Sequence, residues 1–534
     1  MPDAAVGSLQ SRGIAAVNQG RYEDGKLLLL EALTPDPTNA RCHANLAVAL
    51  ERLGQIEESI LHAREAVRLN PLLAGAHSNL GVILFNAGRP NEALPHLEQA
   101  ALLDPDDLLV RLTVASSHAQ AERWPQAADC YAEAYALDPT LDDTISGYAA
   151  ALSHSGRDNK ALRVLHKALK FDPGRALTWS NTGCVLRRLG RNQEALEHFG
   201  RALALDPSFL AATWGRSLCL LALGRLEEGW ADYECGMRTV DRQPKREFPQ
   251  PRWDGSGLAG KTLLVWMEQG LGDHLVWASM LPDLIRAGAR LLVECEHRLV
   301  SLLQRSFPEA EVFSQTEPPD VRTQSPDIDC QIPGGSLPRY LRPCLSSFPA
   351  ACRSLMPDPA RVSAWRERLA ALGPGPKVGI SWRSLKTQGS RAMDCMSLGQ
   401  WRPILSIPGI HWINLQAGWT GDELLELEGC DVKLHLWQGL DLKDDQDELA
   451  ALTSNLDLVV SAFTVTAQLA GGLGIPTWVL AHRGNQSWFS LGTSYCPWRP
   501  SIRFFECQAT ESWDTAIREL AGELRIIAEC VFSC

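Results

Sequence analysis

Three segments carry residue types that could bind and activate a charged substrate. In EQGLGDH (268–274), Gly270 and Gly272 let a backbone turn sharply or approach a ligand, and a helix starting there favours negative charge. Asp273 has two readings. It is either a general base able to take a proton from an acceptor hydroxyl, or a helix N-cap, which aspartate serves well. His274 beside it reads as structural. The third glycine of a dinucleotide fingerprint is missing, with Trp277 and Ala278 following instead, so a nicotinamide cofactor is disfavoured.

SAFTVTAQLAGGLGIP (461–476) places the hydroxyls of Ser461, Thr464 and Thr466 at a strand-to-helix turn, where free N–H groups can receive a diphosphate. Gly471, Gly472 and Gly474 allow tight packing and end that helix before Pro476. In ISWRSLKTQGSR (380–391), Arg383, Lys386 and Arg391 form a basic loop at the carboxyl end of a strand, the place where α/β ligands bind. The competing reading is a solvated loop. DxD patterns occur at Asp327/Asp329 and Asp445/Asp447; the first sits in a strand-like stretch and the second in an acidic run, so neither makes a strong metal site.

These segments need a scaffold. From Lys261 onward, short apolar strands alternate with helical stretches: KTLLVW (261–266), RLLVE (290–294), KVGISW (377–382), HWINLQ (411–416), LDLVV (core 457–460) and TWVL (477–480). That alternation predicts parallel sheets covered by helices. Two such sets are expected, 261–372 and 373–534, as Rossmann-like lobes facing one cleft. A Pro-, Gly- and charge-rich stretch, about 244–260, reads as an ordered linker before them.

The first half is a repeat. Asp/Asn-Pro pairs begin at Asp36, Asn70, Asp104, Asp138, Asp172 and Asp206, each 34 residues from the last. Gly20, Gly54, Gly88, Gly156, Gly190 and Gly224 keep the same period, with Glu122 in the missing place, and so do Ala32, Ala66, Ala100, Ala134, Ala168 and Ala202. Each unit reads as two amphipathic helices, glycine making the turn between them and proline stopping the second. About seven units fill 6–243, the last carrying Asp241 in place of the closing proline. Such a solenoid offers a concave groove. Asn45, Asn79 and Asn181 share one register and could line it as an amide ladder along a peptide backbone. Ser11, Thr113, Gly147 and Gly215 occupy the other steps, so the ladder is partial.

Composition narrows the class. Lys+Arg 51 against Asp+Glu 63 gives a net charge of -12, which argues against nucleic acid and against a polybasic membrane anchor. No apolar run reaches membrane-spanning length. The N-terminal MPDAAVGSLQSRG lacks the charged and apolar regions of a signal peptide. The 15 cysteines form no CxxC or zinc-spaced cluster, as expected of reduced thiols in a cytoplasmic protein.

The repeat marks resemble the tetratricopeptide repeat (TPR). Further on, WMEQGLGDHLVWASMLPDL, ISWRS, INLQ, the LDLVVS…LAGGLGIPTWVL run and PWRPSIRFF…SWD resemble bacterial TPR-linked glycosyltransferases, whose catalytic part is a GT-B fold related to ADP-heptose heptosyltransferases. The resemblance implies a TPR α-solenoid followed by a GT-B fold of two Rossmann-like lobes (α + α/β), with Asp273 as catalytic base. It implies a nucleotide-sugar site drawing on Gly270, Gly272, Arg383, Ser384, Lys386, Gln416, Ser461, Thr464 and Gln468. The family's DTAVAHLAGALG-like run is altered here: Phe463 stands at the aspartate position and Gln468 at the histidine position. Gln468 can still hydrogen-bond a phosphate or sugar, and Phe463 can only stack.

The expected function is transfer of a sugar from a nucleotide-sugar donor to a hydroxyl of a protein acceptor, flagellin being one candidate, with Asn45, Asn79 and Asn181 holding the peptide. Neither a metal nor a cofactor is required. The alternatives are a degenerate transferase acting as a TPR adaptor, and a transferase directed at glycan or lipopolysaccharide.

Overall fold

In the computed structural model of the chain, which describes residues 2–350, 353–385, 394–428, 432–482, 487–507 and 512–532, each 34-residue period becomes a pair of helices. The pairs are α1 (Pro2–Asn18) and α2 (Tyr22–Leu33), α3 (Ala40–Arg52) and α4 (Ile56–Leu69), α5 (Ala74–Asn86) and α6 (Pro90–Leu103), and α7 (Leu108–Gln120) and α8 (Trp124–Leu137). They continue with α9 (Asp142–His154) and α10 (Asp158–Phe171), α11 (Ala176–Arg188) and α12 (Asn192–Leu205), and α13 (Leu210–Ala222) and α14 (Leu226–Tyr233).

Local chemistry explains the period. The turn inside each pair is left-handed, with φ of 73–77° at Gly20, Gly54, Gly88, Gly156, Gly190 and Gly224, a region glycine enters without steric penalty. Glu122 adopts the same turn at φ 56°. Between pairs, the Asp or Asn side chain before proline accepts the backbone N–H two residues on, at 2.8–3.2 Å for Asp36, Asn70, Asp138, Asp172 and Asp206. Aspartate shapes this turn while proline blocks the helix. All six periodic alanines are buried.

Backbone contacts divide the chain into two compact units, Met1–Asn181 and Thr182–Cys534. The second holds the last solenoid helices together with the α/β part. No described helix is long and apolar enough to cross a membrane.

The α/β part contains two sheets, both wholly parallel. The first comprises β1 (Thr262–Trp266), β2 (Arg290–Cys295), β3 (Glu311–Ser314) and β4 (Cys330–Pro333) in the order β3-β2-β1-β4. The second comprises β5 (Lys377–Ser381), β6 (His411–Asn414), β7 (Leu434–His435), β8 (Leu458–Ala462), β9 (Thr477–His482) and β10 (Ile502–Cys507). Its order, β10-β9-β8-β5-β6-β7, runs outward in both directions from the β5–β8 pair, as in a doubly wound sheet. Leu263, Leu264 and Val265 are all fully buried, as strands covered on both faces require.

The helices of this part are α15 (Leu271–Ala278), α16 (Leu281–Arg286), α17 (Val300–Ser306), α18 (Leu337–Leu341), α19 (Pro359–Ala370), α20 (Arg402–Leu405), α21 (Gly421–Leu425), α22 (Gln446–Thr453), α23 (Val465–Leu473), α24 (Ser487–Ser490) and α25 (Asp514–Phe532). The linker is ordered: Arg252 forms a parallel bridge with Gln331, and Trp253 packs on Tyr340 with ring centroids 5.0 Å apart.

Candidate functional site

β1 delivers its chain to the start of α15. The sharp turn expected at the glycines falls one residue earlier: Gln269 is left-handed at φ 74°, whereas Gly270 is extended (φ -91°, ψ 167°) and serves as the N-cap. Asp273, half-buried in the first turn, accepts the Gly270 N–H at 2.9 Å on Oδ2. Asp273 is thus not the N-cap itself, as the capping reading had it: Gly270 is, and Asp273 supports it from the third position of the helix. His274 is buried, takes the Glu296 N–H at 3.4 Å on Nδ1, and is pushed down to about 4 by burial with help from Arg298. It is structural.

β8 delivers its chain to α23 in the same way. The buried Ser461 hydroxyl donates to the Ala462 carbonyl (2.6 Å) and lies 3.2 Å from the Thr464 hydroxyl. Thr464 occupies the N-cap position of α23, and its side chain makes no cap hydrogen bond. Thr466 is buried. Gln468 is only 3% exposed, and neither its Oε1 nor its Nε2 has a hydrogen-bond partner among the described residues. Burying an unpaired amide costs about 1–3 kcal/mol, so this position calls for a ligand or a water. The Phe463 ring, by contrast, packs edge-on against Phe489 at 4.6 Å and near Phe504 at 6.2 Å.

α15 and α23 abut close to their N-termini. A Cβ added at Gly272 would stand 3.6 Å from Gln468 Cγ and 3.7 Å from Val465 Cα. Arg499, fully buried, fastens the pair by donating to the Leu275 carbonyl at 2.6 Å. Two helix N-termini, each carrying a partial positive charge, thus converge on the orphaned Gln468 amide.

The basic loop after β5 is less available than its sequence promised. Arg383 lies bidentate on Glu423 (2.5 and 2.9 Å) and also donates to the Gly418 carbonyl at 2.9 Å. The Arg383 bonds, joined by the Trp382 indole and the Thr420 N–H, hold the Glu423 carboxyl at about 2. Gln416 is buried and ties loops together: its Oε1 accepts from Ser381 (3.3 Å) and from the Arg383 N–H (3.0 Å), and its Nε2 donates to the Ala417 carbonyl at 2.9 Å. The geometry makes Arg383 and Gln416 loop braces. Ser384 is half-buried beside them, and Lys386 and Arg391 lie outside the described residues.

Three of the four DxD carboxylates brace the fold, while Asp327 is exposed. Asp329 accepts the Thr262 N–H at 2.8 Å, registering β4 on β1. Asp445 pairs with Arg361 at 2.7 Å and caps α22 through the Glu448 N–H, and Asp447 pairs with Arg305 at 2.7 Å. With Arg298–Asp444 at 3.3 Å these ion pairs tie α22 and the loop before it to residues 298, 305 and 361. Among the described residues no group of three or more His, Cys, Asp or Glu side chains is placed to hold a metal.

In the first unit the asparagines of the expected ladder are half-buried. Asn79 donates to the Ala44 carbonyl (3.0 Å) and Asn181 to the Ser146 hydroxyl (3.1 Å), each bridging to the preceding repeat. Asn45 turns onto its own helix, donating to the Arg41 carbonyl at 2.8 Å.

One constellation was not read from the sequence. Arg242 and Glu268 are both fully buried and paired at 2.6 Å. Arg242 also donates to the Ser336 hydroxyl at 2.9 Å and reaches Glu234 at 3.4 Å, while Glu268 accepts the Gly335 N–H at 3.2 Å. A Cβ on Gly335 would stand 2.5 Å from Glu268 Oε1, so a larger residue there would have to push the paired carboxylate aside. A second buried pair, Arg246–Glu294 at 2.7 Å, sits at the end of β2, where burial pushes Glu294 up to about 7. Arg246 falls in the stretch whose composition reads as linker, and Arg242 lies just before it. The only sequence signal was an arginine every few residues in a segment otherwise suited to solvent.

Residues 11–74 and 181–234 match one tetratricopeptide repeat family and residues 74–107 a second tetratricopeptide repeat family. Protein FlbA of Caulobacter vibrioides is 38% identical over 328 residues, which is 59% of this chain and 54% of FlbA. The chain thus spans about half the length of that curated relative. Among solved structures, YrrB, described as a TPR protein with an unusual peptide-binding site, is 19% identical, with 34% of this chain and 95% of that one covered at a TM-score of 0.33. Pseudomonas aeruginosa PilF is 20% identical, with 39% and 96% covered at a TM-score of 0.35. The N-terminal region is a tetratricopeptide-repeat solenoid, the C-terminal region is α/β with parallel sheets, and the chain is homologous to FlbA.

Proposed function

We propose that the chain is a protein O-glycosyltransferase, its α/β part being a GT-B fold of two Rossmann-like lobes (261–372 and 373–534) that take a nucleotide-sugar donor. The observation that carries this reading is the convergence of the α15 and α23 N-termini on the unpartnered, buried Gln468 amide. Both helices follow strands at the carboxyl edge of parallel sheets, where such folds bind nucleotides. Amides at the α23 N-terminus, with the Ser461 and Thr464 hydroxyls, suit a diphosphate.

In this reading Asp273 takes the proton of an acceptor hydroxyl as that oxygen attacks the anomeric carbon. The new C–O bond forms as the bond to the diphosphate breaks, and the leaving nucleoside diphosphate carries its charge to the α23 N-terminus. The solenoid brings the protein acceptor, with flagellin as the first candidate, in the cytoplasm where nucleotide sugars are made.

Thermal-shift screening against UDP, GDP, CDP and ADP tests donor binding, since a ligand of the folded state raises its melting temperature. Transfer from the matching nucleotide sugar to flagellin should then disappear in Asp273→Asn. An asparagine side-chain carbonyl can still accept the Gly270 N–H, as glutamine does at the third position of a capping box, so this variant removes the base and keeps the Gly270 bond. No shift with any nucleoside diphosphate, together with no turnover, would sink the enzyme reading. That outcome would favour the second one, a TPR adaptor with a degenerate catalytic part, which the neutralised Arg383 and the altered Phe463 support.

A further inference from the structure

The left-handed residue beside the candidate base is glutamine, which has no intrinsic preference for that conformation. Something must hold it. The Tyr233 hydroxyl, at the end of α14, donates to Gln269 Oε1 at 3.1 Å, and the Gln269 N–H donates to the Gln243 carbonyl at 2.5 Å. The neighbouring Glu268 is clamped by Arg242 and Gly335. Tyr233 is itself only 1% exposed, packed against Trp214 (ring centroids 4.7 Å apart) and Trp230 (5.5 Å), with the Arg242 guanidinium 5.1 Å over its ring. Burial raises the pKa of its phenol, and the Asp273 carboxylate is close enough to add to that rise. Residues in sparsely populated backbone conformations persist only where their surroundings over-determine them, and they cluster at functional sites.

We infer that Tyr233 and Gln269 are positioning residues: through their hydrogen bond the last TPR repeat holds the 268–270 turn in its strained form and so sets where Gly270 and Asp273 stand. The last repeat is then part of the candidate site. Its role in catalysis rests on Asp273 acting as the base, as proposed above; the positioning itself does not.

Hydrogen–deuterium exchange of the full chain, without ligand, tests it. Tyr233→Phe keeps the ring and its packing and removes only the hydroxyl. It should raise exchange at the Gln269 and Gly270 amides about three- to tenfold, the range one net hydrogen bond is worth, while peptides from β8 and α23 stay unchanged. Gln269→Asn keeps a residue that tolerates the left-handed region but is too short for the same bond. In the Tyr233→Phe background it should bring exchange back down, and the two changes should not add. A purely structural role for the ring would leave Tyr233→Phe silent. Unchanged exchange, a rise spread over the whole unit, or additive effects would each overturn the inference. If the exchange result holds but no nucleoside diphosphate shifts the wild-type melting temperature, positioning stands and the donor reading falls.

Discussion

Gln468 leans on Gly272 across the contact between α15 and α23, its Cγ 3.6 Å from where a Cβ of residue 272 would lie, and its amide finds no partner among the described residues. An unpaired amide in a buried place is a stability defect, and in the proposed donor site it is one that a ligand relieves. Gln468→Leu, of similar volume, removes the unmet polar group and is expected to stabilise the ligand-free protein by about 1–2 kcal/mol. The same substitution should abolish the melting-temperature shift given by the best nucleoside diphosphate. A variant that is less stable and still binds would show that the amide has a structural partner instead.

The Arg383–Glu423 pair makes a pH prediction. The folded-state pKa of Glu423 is depressed to about 2, so its contribution is present above the unfolded carboxyl value near 4.3 and is lost as pH falls toward 2. Wild type and Glu423→Gln should differ in stability by about 1–2 kcal/mol above pH 5, and the gap should close in acid. Chemical denaturation at pH 7, 5, 4 and 3 checks both the size and the direction.

His274 gives the same direction on a base, here because burial disfavours its charged form. Its pKa is lowered to about 4, so the folded protein keeps it neutral while the unfolded chain protonates near pH 6.5. The unfolded state binds more protons in that window, so stability falls as pH drops from about 6.5 to about 4. His274→Gln should flatten this limb of the curve relative to wild type, in the midpoint of urea unfolding.

Removing one partner of the Arg242–Glu268 pair should be costly, because a buried charge is left without its counterion. Arg242→Met is expected to lose about 3–5 kcal/mol, whereas replacing an exposed pair such as Arg225–Glu228 should leave stability nearly unchanged. Equal effects at the two sites in the same denaturation assay would contradict the burial argument.

Two repeats carry facing histidines in one register. His43 and His62 meet Nδ1 to Nδ1 at 2.9 Å with ring centroids 5.1 Å apart, and His77 and His96 do so at 3.3 Å and 5.5 Å. Those separations place the ring nitrogens head-on, the geometry of an N–H···N bond. His43 and His77 use Nε2 on the Pro37 and Pro71 carbonyls, both at 3.0 Å, so their protons sit on Nε2 and their Nδ1 atoms accept. His62 and His96 must then carry the proton on Nδ1, and burial holds their pKa values down. Long-range proton–nitrogen NMR at pH 7.5 should show this alternation of tautomers; the reverse pattern would refute it.

What was legible in the sequence was local. The 34-residue period survives because a left-handed glycine and an aspartate-capped proline turn need only their own neighbours, and even Glu122 was placed correctly by its position alone. Strands β1, β2, β5, β6, β8 and β9 could be read because both faces are buried and their apolar runs are continuous. β3 and β4 escaped at four residues each, β7 at two, and β10 because exposed Arg503 and Glu506 interrupt its pattern. At the site, Asp273 stood out by type and place, and Gln468 only through the resemblance, where it stands at a histidine position. Arg383 looked like a free cation because its neutralising carboxylate lies 40 residues away on α21. The Arg242–Glu268 pair, 26 residues apart, could not be seen before folding brought linker and strand end together.

The unbroken spacing of the solenoid has an engineering consequence. Excising or duplicating one 34-residue unit between Asn39 and Asp138 rejoins like with like, so the arm can be lengthened or shortened in whole steps. The junction from Trp214 to Arg242 permits no such editing, because its tyrosine and arginine are built into the turn they support.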